Sequence, residues 1–188
     1  MLWLDPRGRQ TQTADDKTDE IGSPCGMTDE KNWPDLAGRL IEEAAERRHV
    51  LPVRVYFEDT DFSGLVYHAS YVRWCERGRS DFLRLLGGDH RRLIDGSGGS
   101  EPAAFVVRRM SFDFLRPAGI DEVLEVVTRV KDVGAASLTL AQVVNRAGTT
   151  LVEAEVTVVL VSVSGKPLRI SSALRDAFAH SGGGSRPT

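Results

Sequence analysis

Residues 71–86 carry a single apolar stripe at helical spacing: Tyr71, Trp74, Cys75, Gly78, Phe82, Leu85 and Leu86. Arg73, Arg77 and Arg84 lie largely off that stripe, and Gly87-Gly88 supplies a stop, which predicts one long amphipathic helix. Beyond it the apolar period drops from 3.6 to 2. AFVVRRMSFDFL sets Met110, Phe112 and Phe114 against Arg109, Ser111 and Asp113. DEVLEVVTRV sets Leu124, Val126 and Val130 against Glu125, Val127 and Arg129, and SLTLAQVVN and TLVEAEVTVVLVSV follow. The turn signals RPAGID, KDVGA and NRAGT are too short for crossover connections, so these strands are expected to be antiparallel neighbours. Ahead of the helix, LPVRVYFE alternates in the same way and predicts a first strand. One helix and a run of antiparallel strands bury their apolar faces only against each other, which predicts an α+β two-layer domain. No βαβ alternation, GxGxxG or P-loop is present, so nucleotide-binding folds are excluded.

This pattern divides the 188 residues into three stretches. Residues 1–50 are expected to be an N-terminal extension, disordered at first, with Leu36, Leu40, Ile41 and Ala44 predicting a short amphipathic helix. Residues 51–165 form the domain, and residues 166–188 are a C-terminal segment in which SSALRDAFA predicts a short closing helix before a flexible SGGGSRPT.

A formal net charge of -3 provides no general attraction to nucleic acid or to an anionic membrane. No apolar run reaches the roughly 20 residues of a membrane-spanning helix, and MLWLDPRGRQTQTADD lacks the basic start and apolar stretch of a secretory signal. A soluble cytoplasmic protein is the expectation. Cys25 and Cys75 are far apart and form no CxxC, so neither a disulfide framework nor a zinc site is expected, and Cys75 reads as a small buried helix residue.

Between the first strand and the helix stands FEDTDFSGLVYHASY, residues 57–71. Asp59 and Asp61 can cap a turn, bind a metal or do chemistry. Gly64 permits close backbone approach to a ligand, and the helix is expected to begin at His68 to Ser70 with its first N–H groups free. Such N–H groups, at the positive end of the helix dipole, stabilise a carbonyl oxygen or oxyanion, and a neighbouring carboxylate can attack an acyl carbon or activate water. A metal needs more convergent ligands than Asp61 and His68 provide. Taken singly, each residue has an ordinary structural role open to it: a cap for the acids, packing for Tyr67 and Tyr71, a solvated partner of arginines for Glu76.

The continuous stretch VRVYFEDTDFSGLVYHASYVRWCERGRSDFL resembles the signature of acyl-CoA thioesterases of the 4-hydroxybenzoyl-CoA thioesterase family. It is most similar to the Tol-Pal system-associated branch, whose motif runs close to EDTDxxGxVYHxxYxxxxExxR. AFVVRRMSFDFLRPAGIDEVLEV and AEVTVVLVSV are similar as well, so that the resemblance covers residues 51–165. It implies the hotdog fold, an antiparallel sheet wrapped around a central helix, and hydrolysis of acyl-CoA at a dimer interface. It further implies that Asp61 is the catalytic carboxylate and that His68 marks the amide polarising the thioester carbonyl, with the imidazole assisting. Gly64, Val66 and Tyr67 would shape the substrate site, Glu76, the later motif acid, would join it in a structural or catalytic part, and Arg108, with Arg109, is a candidate for supporting the site or contacting CoA. The implied partners are acyl-CoA, with acyl-carrier protein as a second carrier, and further copies of the chain in a homodimer or homotetramer. Thioesters are activated acyl donors, so no metal or other cofactor is expected. The alternatives are an acyl-thioester-binding or scaffolding role linked to the Tol-Pal system, and an acyl-thioester hydratase or dehydratase of the same fold, whose different His-containing motif is not seen here. Phe62 and Ser63 depart from the branch's small residues after the aspartate, and a bulky Phe62 would be expected to reshape the acyl pocket.

Overall fold

The computed structural model describes residues 36–43, 46–96 and 101–179. In chain order they form β1 (Arg39–Glu43), β2 (Glu46–Arg54), a 3-10 turn (Phe57–Asp59), α1 (His68–Leu85), α2 (His90–Asp95), β3 (Ala103–Phe114), β4 (Val123–Val133), β5 (Ser137–Arg146), β6 (Thr149–Ser162) and α3 (Ser172–Ala179). The six strands make one antiparallel sheet in the order β1-β2-β4-β5-β6-β3. α1 lies across one face of it, in the hotdog arrangement the alternation and the single stripe require. No helix among the described residues is long and apolar enough to cross a membrane.

The stripe of α1 is its buried face, with one change. Tyr71, Trp74, Cys75, Gly78, Phe82 and Leu83 are buried, whereas Leu85 is exposed. The helix ends at Leu85, so the last turn leaves the sheet before that side chain can reach it. Phe82, 1% exposed, packs with Val130, Leu140 and Val156 of the sheet, a burial worth on the order of 2–3 kcal/mol. Gly78 brings α1 close to β4: a Cβ there would stand 3.2 Å from both Thr128 Oγ1 and Val126 Cγ1. The polar groups trapped by this approach are paired. Buried Gln142 donates to the Cys75 carbonyl and to Thr128 Oγ1, both at 2.9 Å, and accepts from Arg79 Nη1 at 2.8 Å.

Three expectations change. Residues 39–43 are a strand, not a helix, because β2 offers an edge whose N–H and C=O groups need partners. Five residues of helix-like spacing cannot outweigh that ladder, since so short a helix is unstable alone. Leu40 still reaches the core, packing by Phe82, while Ala44 lies outside the described residues. The domain consequently includes β1 and the first part of β2 and does not begin at residue 51. It also continues past 165: Ile170 and Phe178 are each 2% exposed, and α3 is the expected closing helix, here anchored in the core. The six-residue α2, not anticipated, begins where the Asp89 carboxylate accepts the Arg91 and Arg92 amides.

Candidate active site

The motif folds as a narrow hairpin that runs straight into α1. Thr60 bridges Val66, the Asp61 amide donates to the Leu65 carbonyl at 2.9 Å, and the Tyr67 amide donates to the Asp59 carbonyl at 2.8 Å. At the tip the Gly64 amide returns to the Asp61 carbonyl at 3.0 Å, with Gly64 at φ 76°, a conformation any larger residue resists. The loop after β3 braces this hairpin. Val66 N–H donates to the Ala118 carbonyl at 2.9 Å, Leu65 bridges Gly119, and the Ala118 amide donates to the Tyr71 hydroxyl at 3.1 Å.

Asp59 and Asp61 diverge completely in this setting. Asp59 is 6% exposed, accepts the Tyr56 amide at 3.0 Å and has Arg73 at 3.9 Å, while its carbonyl accepts from Ser70 Oγ. It fastens the 3-10 turn to the first turn of α1. Asp61 is exposed at the hairpin tip. Its Oδ1 accepts the Ser63 amide at 2.8 Å and the Ser63 hydroxyl, and these two bonds hold its carboxyl below the ordinary 3.8. Oδ2 accepts no hydrogen bond among the described residues. The carboxylate is therefore anchored by one oxygen and available through the other.

α1 opens next to it. Its N-cap, Tyr67, makes no side-chain cap bond, and among the described residues no backbone acceptor takes the amides of His68 and Ala69. The His68 ring is exposed, with the Tyr67 ring centroid at 4.2 Å and that of Phe114 at 6.4 Å. Asp61, Gly64, Tyr67 and His68 thus share one hydrogen-bonded hairpin–helix element. Among the described residues no group of three or more acidic, His or Cys side chains converges as a metal ligand set. Cys75, the buried thiol one face away, is pushed up to about 12 by desolvation and is no nucleophile at neutral pH.

Three expected members stand apart. Val66 is 9% exposed and packs in the core with Tyr71 and Trp74, so its side chain cannot line the site. Glu76 is exposed, about 12 Å further along α1 at the helical rise, where it accepts the Ser80 hydroxyl at 2.7 Å. Arg108 is exposed at an irregularity of β3 between Val107 and Arg109, roughly 20 Å of strand from Phe114, the β3 residue that touches the helix start. Phe62 projects fully into solvent. Ser63 and Tyr71 acquire definite parts that their identities alone did not assign. The D-x-S-G order is a sign of the first, since Asp side chains bond N–H groups two residues on; the Tyr71 brace depends on a contact 47 residues away.

The comparisons with known proteins agree with this architecture. A model of the thioesterase superfamily matches residues 63–153. The acyl-CoA thioester hydrolase YbgC of Escherichia coli O6:H1 is 45% identical over 111 residues, 58% of this chain and 79% of that protein. The acyl-CoA thioesterase YbgC of Haemophilus influenzae is 36% identical over 130 residues, 69% of this chain and 93% of that one. The chain belongs to the thioesterase superfamily. Among solved structures, a probable thioesterase from Bartonella henselae superposes with a TM-score of 0.63 at 43% identity, covering 66% of this chain and 99% of that chain. A gentisyl-coenzyme A thioesterase, BH1999, with a TM-score of 0.62 at 24% identity, shares the fold. The superfamily match begins two residues after Asp61, so the part played by that carboxylate rests on the hairpin geometry and the motif.

Proposed function

We propose that this thioesterase hydrolyses acyl-CoA to the free acid and CoA, with Asp61 supplying the attacking oxygen and the start of α1 holding the carbonyl. The observation that carries this reading is the pairing of a tethered carboxylate, free at Oδ2, with the open amides of His68 and Ala69 on one hairpin–helix unit. In one route Asp61 takes a proton from water as that water's oxygen bonds the carbonyl carbon. In the other Oδ2 attacks directly and water then hydrolyses the mixed anhydride. In both, the amides stabilise the tetrahedral oxyanion, the C–S bond breaks, and the CoA thiolate takes up a proton. Asp61 is anionic near neutral pH, the form either route needs, and its bonds from Ser63 lower its pKa further. Single-turnover hydrolysis in ¹⁸O-water separates them: the water route puts the label straight into the acid, whereas the direct route, with water opening the anhydride at the Asp61 carboxyl, leaves it in Asp61 and releases an unlabelled acid.

Asp61→Asn keeps the shape and removes the charge, and kcat should fall by roughly 10²–10⁴-fold with unchanged circular dichroism. Hydrolysis near the wild-type rate across an acyl-CoA panel would reject the assignment.

The working unit is proposed to be a homodimer. β3 ends the sheet with an edge that no strand among the described residues pairs, and Phe57, Phe62, Leu65 and Tyr67 around the site are all exposed. A two-fold partner would cover both. Sedimentation showing a fully active monomer at working concentration would exclude this.

A further inference from the structure

The inner face of β3 is apolar and largely uncovered. Its residues are identified by their partners on β6: Phe114 pairs with Val152, Phe112 with Ala154, Met110 with Val156, Val107 with Val158 and Phe105 with Leu160. All five β6 partners are buried beneath the helix layer, and paired residues share a face. The irregularity at Arg108 adds one residue, which keeps Val107 and Met110 on the same side. Yet Phe114, Met110 and Val107 are 50%, 43% and 44% exposed, because α1 packs over β2 and β4 and leaves a gap beside β3. One end of the gap is the active site, where the Phe114 ring meets His68 and, at 5.9 Å, Tyr71.

The other end enters a cavity of about 260 Å³ between the second half of α1, α2 and the beginning of β3. Leu83, Phe105, Leu138, Leu140, Val158 and Phe178 form much of its wall. The polar groups at its margin are already engaged: Glu76 with Ser80, Arg79 with Gln142, His90 with the Ser80 carbonyl. They ask nothing of a ligand. An apolar void of this size forfeits contacts that a hydrocarbon guest restores.

We propose that the β3 track and this cavity receive the distal part of a long, unbranched fatty acyl chain whose thioester carbonyl lies at His68. The inference rests on the thioester-hydrolysis reading and specifies its substrate. Along α1 the cavity spans Glu76 to Leu83, about 12 to 22 Å from His68 at the helical rise. An extended hydrocarbon advances ~1.25 Å per carbon from its bond length and angle, so about ten carbons reach the cavity mouth. Short acyl groups end on the track and gain nothing from the cavity; chains of about twelve to sixteen carbons fill it. Edge pairing of β3 in a dimer uses backbone groups and leaves these inner side chains available to the chain.

The test is kcat/KM for butyryl-, octanoyl-, dodecanoyl- and hexadecanoyl-CoA with the wild type and with Val107→Trp, which plugs the passage from track to cavity at an exposed position. Ile94→Trp, on the exposed α2 side of the cavity, serves as the second variant if the first fails to fold. The wild type should favour dodecanoyl over butyryl by roughly tenfold or more, since a few methylenes in an apolar pocket are worth that much. The plugged variant should lose this preference while its butyryl rate changes by less than about twofold. A flat wild-type profile, or a plugged variant that loses all chain lengths equally, overturns the inference and leaves hydrolysis intact. Calorimetric titration of dodecanoate into Asp61→Asn protein decides the inference independently of turnover. Saturable binding abolished by the plug supports it even if no acyl-CoA is hydrolysed, and absent binding overturns it.

Discussion

Two carboxylates flank opposite ends of α1 and share no behaviour. Asp61, before the helix, is solvent-exposed, anchored through Oδ1 alone and free at Oδ2. Asp81, near the other end, spends both oxygens on structure: Oδ2 meets His49 Nε2 at 2.8 Å and Oδ1 meets Arg84 Nη1 at 3.1 Å. His49 is fully buried against Phe82, so this pair fastens β2 to the helix. A carboxylate only accepts, hence Nε2 carries the imidazole proton and Nδ1 is bare, with no partner among the described residues. How many of its lone pairs the fold has already claimed sets what each acid is free to do.

Substitution at the two acids should have opposite effects on activity and stability. Asp61→Asn should cost activity by orders of magnitude and little stability, as set out above. Asp81→Ala should do the reverse. It strands a buried Nε2–H, a loss of about 1–3 kcal/mol, read as a lowered urea midpoint, with kcat for butyryl-CoA retained in the folded fraction. A catalytic collapse in Asp81→Ala at full stability would erase the distinction between the two ends.

The His49–Asp81 pair responds to pH through the imidazole. Burial lowers the His49 pKa below 6.5, outweighing the hydrogen bond and charge of Asp81, which raise it. Unfolded, the same imidazole takes up its proton near 6.5, so below that pH the unfolded chain binds more protons than the folded one. Stability from this group is therefore full above about 6.5 and is lost as pH falls from there toward the folded pKa. Urea unfolding at pH 7.5 and 5.0 should show a wild-type loss that His49→Gln reduces. Equal losses in both proteins would place the acid sensitivity elsewhere.

Much of this architecture is legible in the chain because two periods are written plainly into it. The change from 3.6 to 2 after Leu86 separates α1 from the β3–β6 run, and the turns between strands are short enough to force antiparallel pairing. β1 is not legible: Leu40 and Ile41 satisfy a helical spacing locally, and only the β2 edge, a tertiary fact, decides otherwise. α2 is too short to show a period. At the site, Asp61, Gly64 and the helix start follow from the motif, whereas the separation of Val66 into the core depends on which way the hairpin's return arm faces. Phe62 shows the same limit in reverse, since a bulky residue beside Asp61 says nothing of its direction. The cavity is equally hidden, being a gap between α1, α2 and β3 that no single segment announces.

The smallest expected effect concerns Ser63, which converts Asp61 from a loop acid into a fixed anion. Its hydroxyl contributes most to the lowered Asp61 pKa and its amide the next share, with desolvation opposing weakly. Ser63→Ala deletes the hydroxyl and keeps the amide bond at Oδ1, so the carboxylate stays in place and becomes easier to protonate. The pKa should rise toward 3.8 and not beyond it. Because both proposed routes need the anion, the acid limb of kcat/KM should move upward in pH while the plateau near neutrality drops only a few-fold. Asp61 is fully exposed, so the shift belongs to the activity profile and should leave the unfolding midpoint at pH 7 where it was. An acid limb that stays fixed in Ser63→Ala would mean that another group sets it, and Asp61 would then lose its hold on the proton even if Asp61→Asn is inactive.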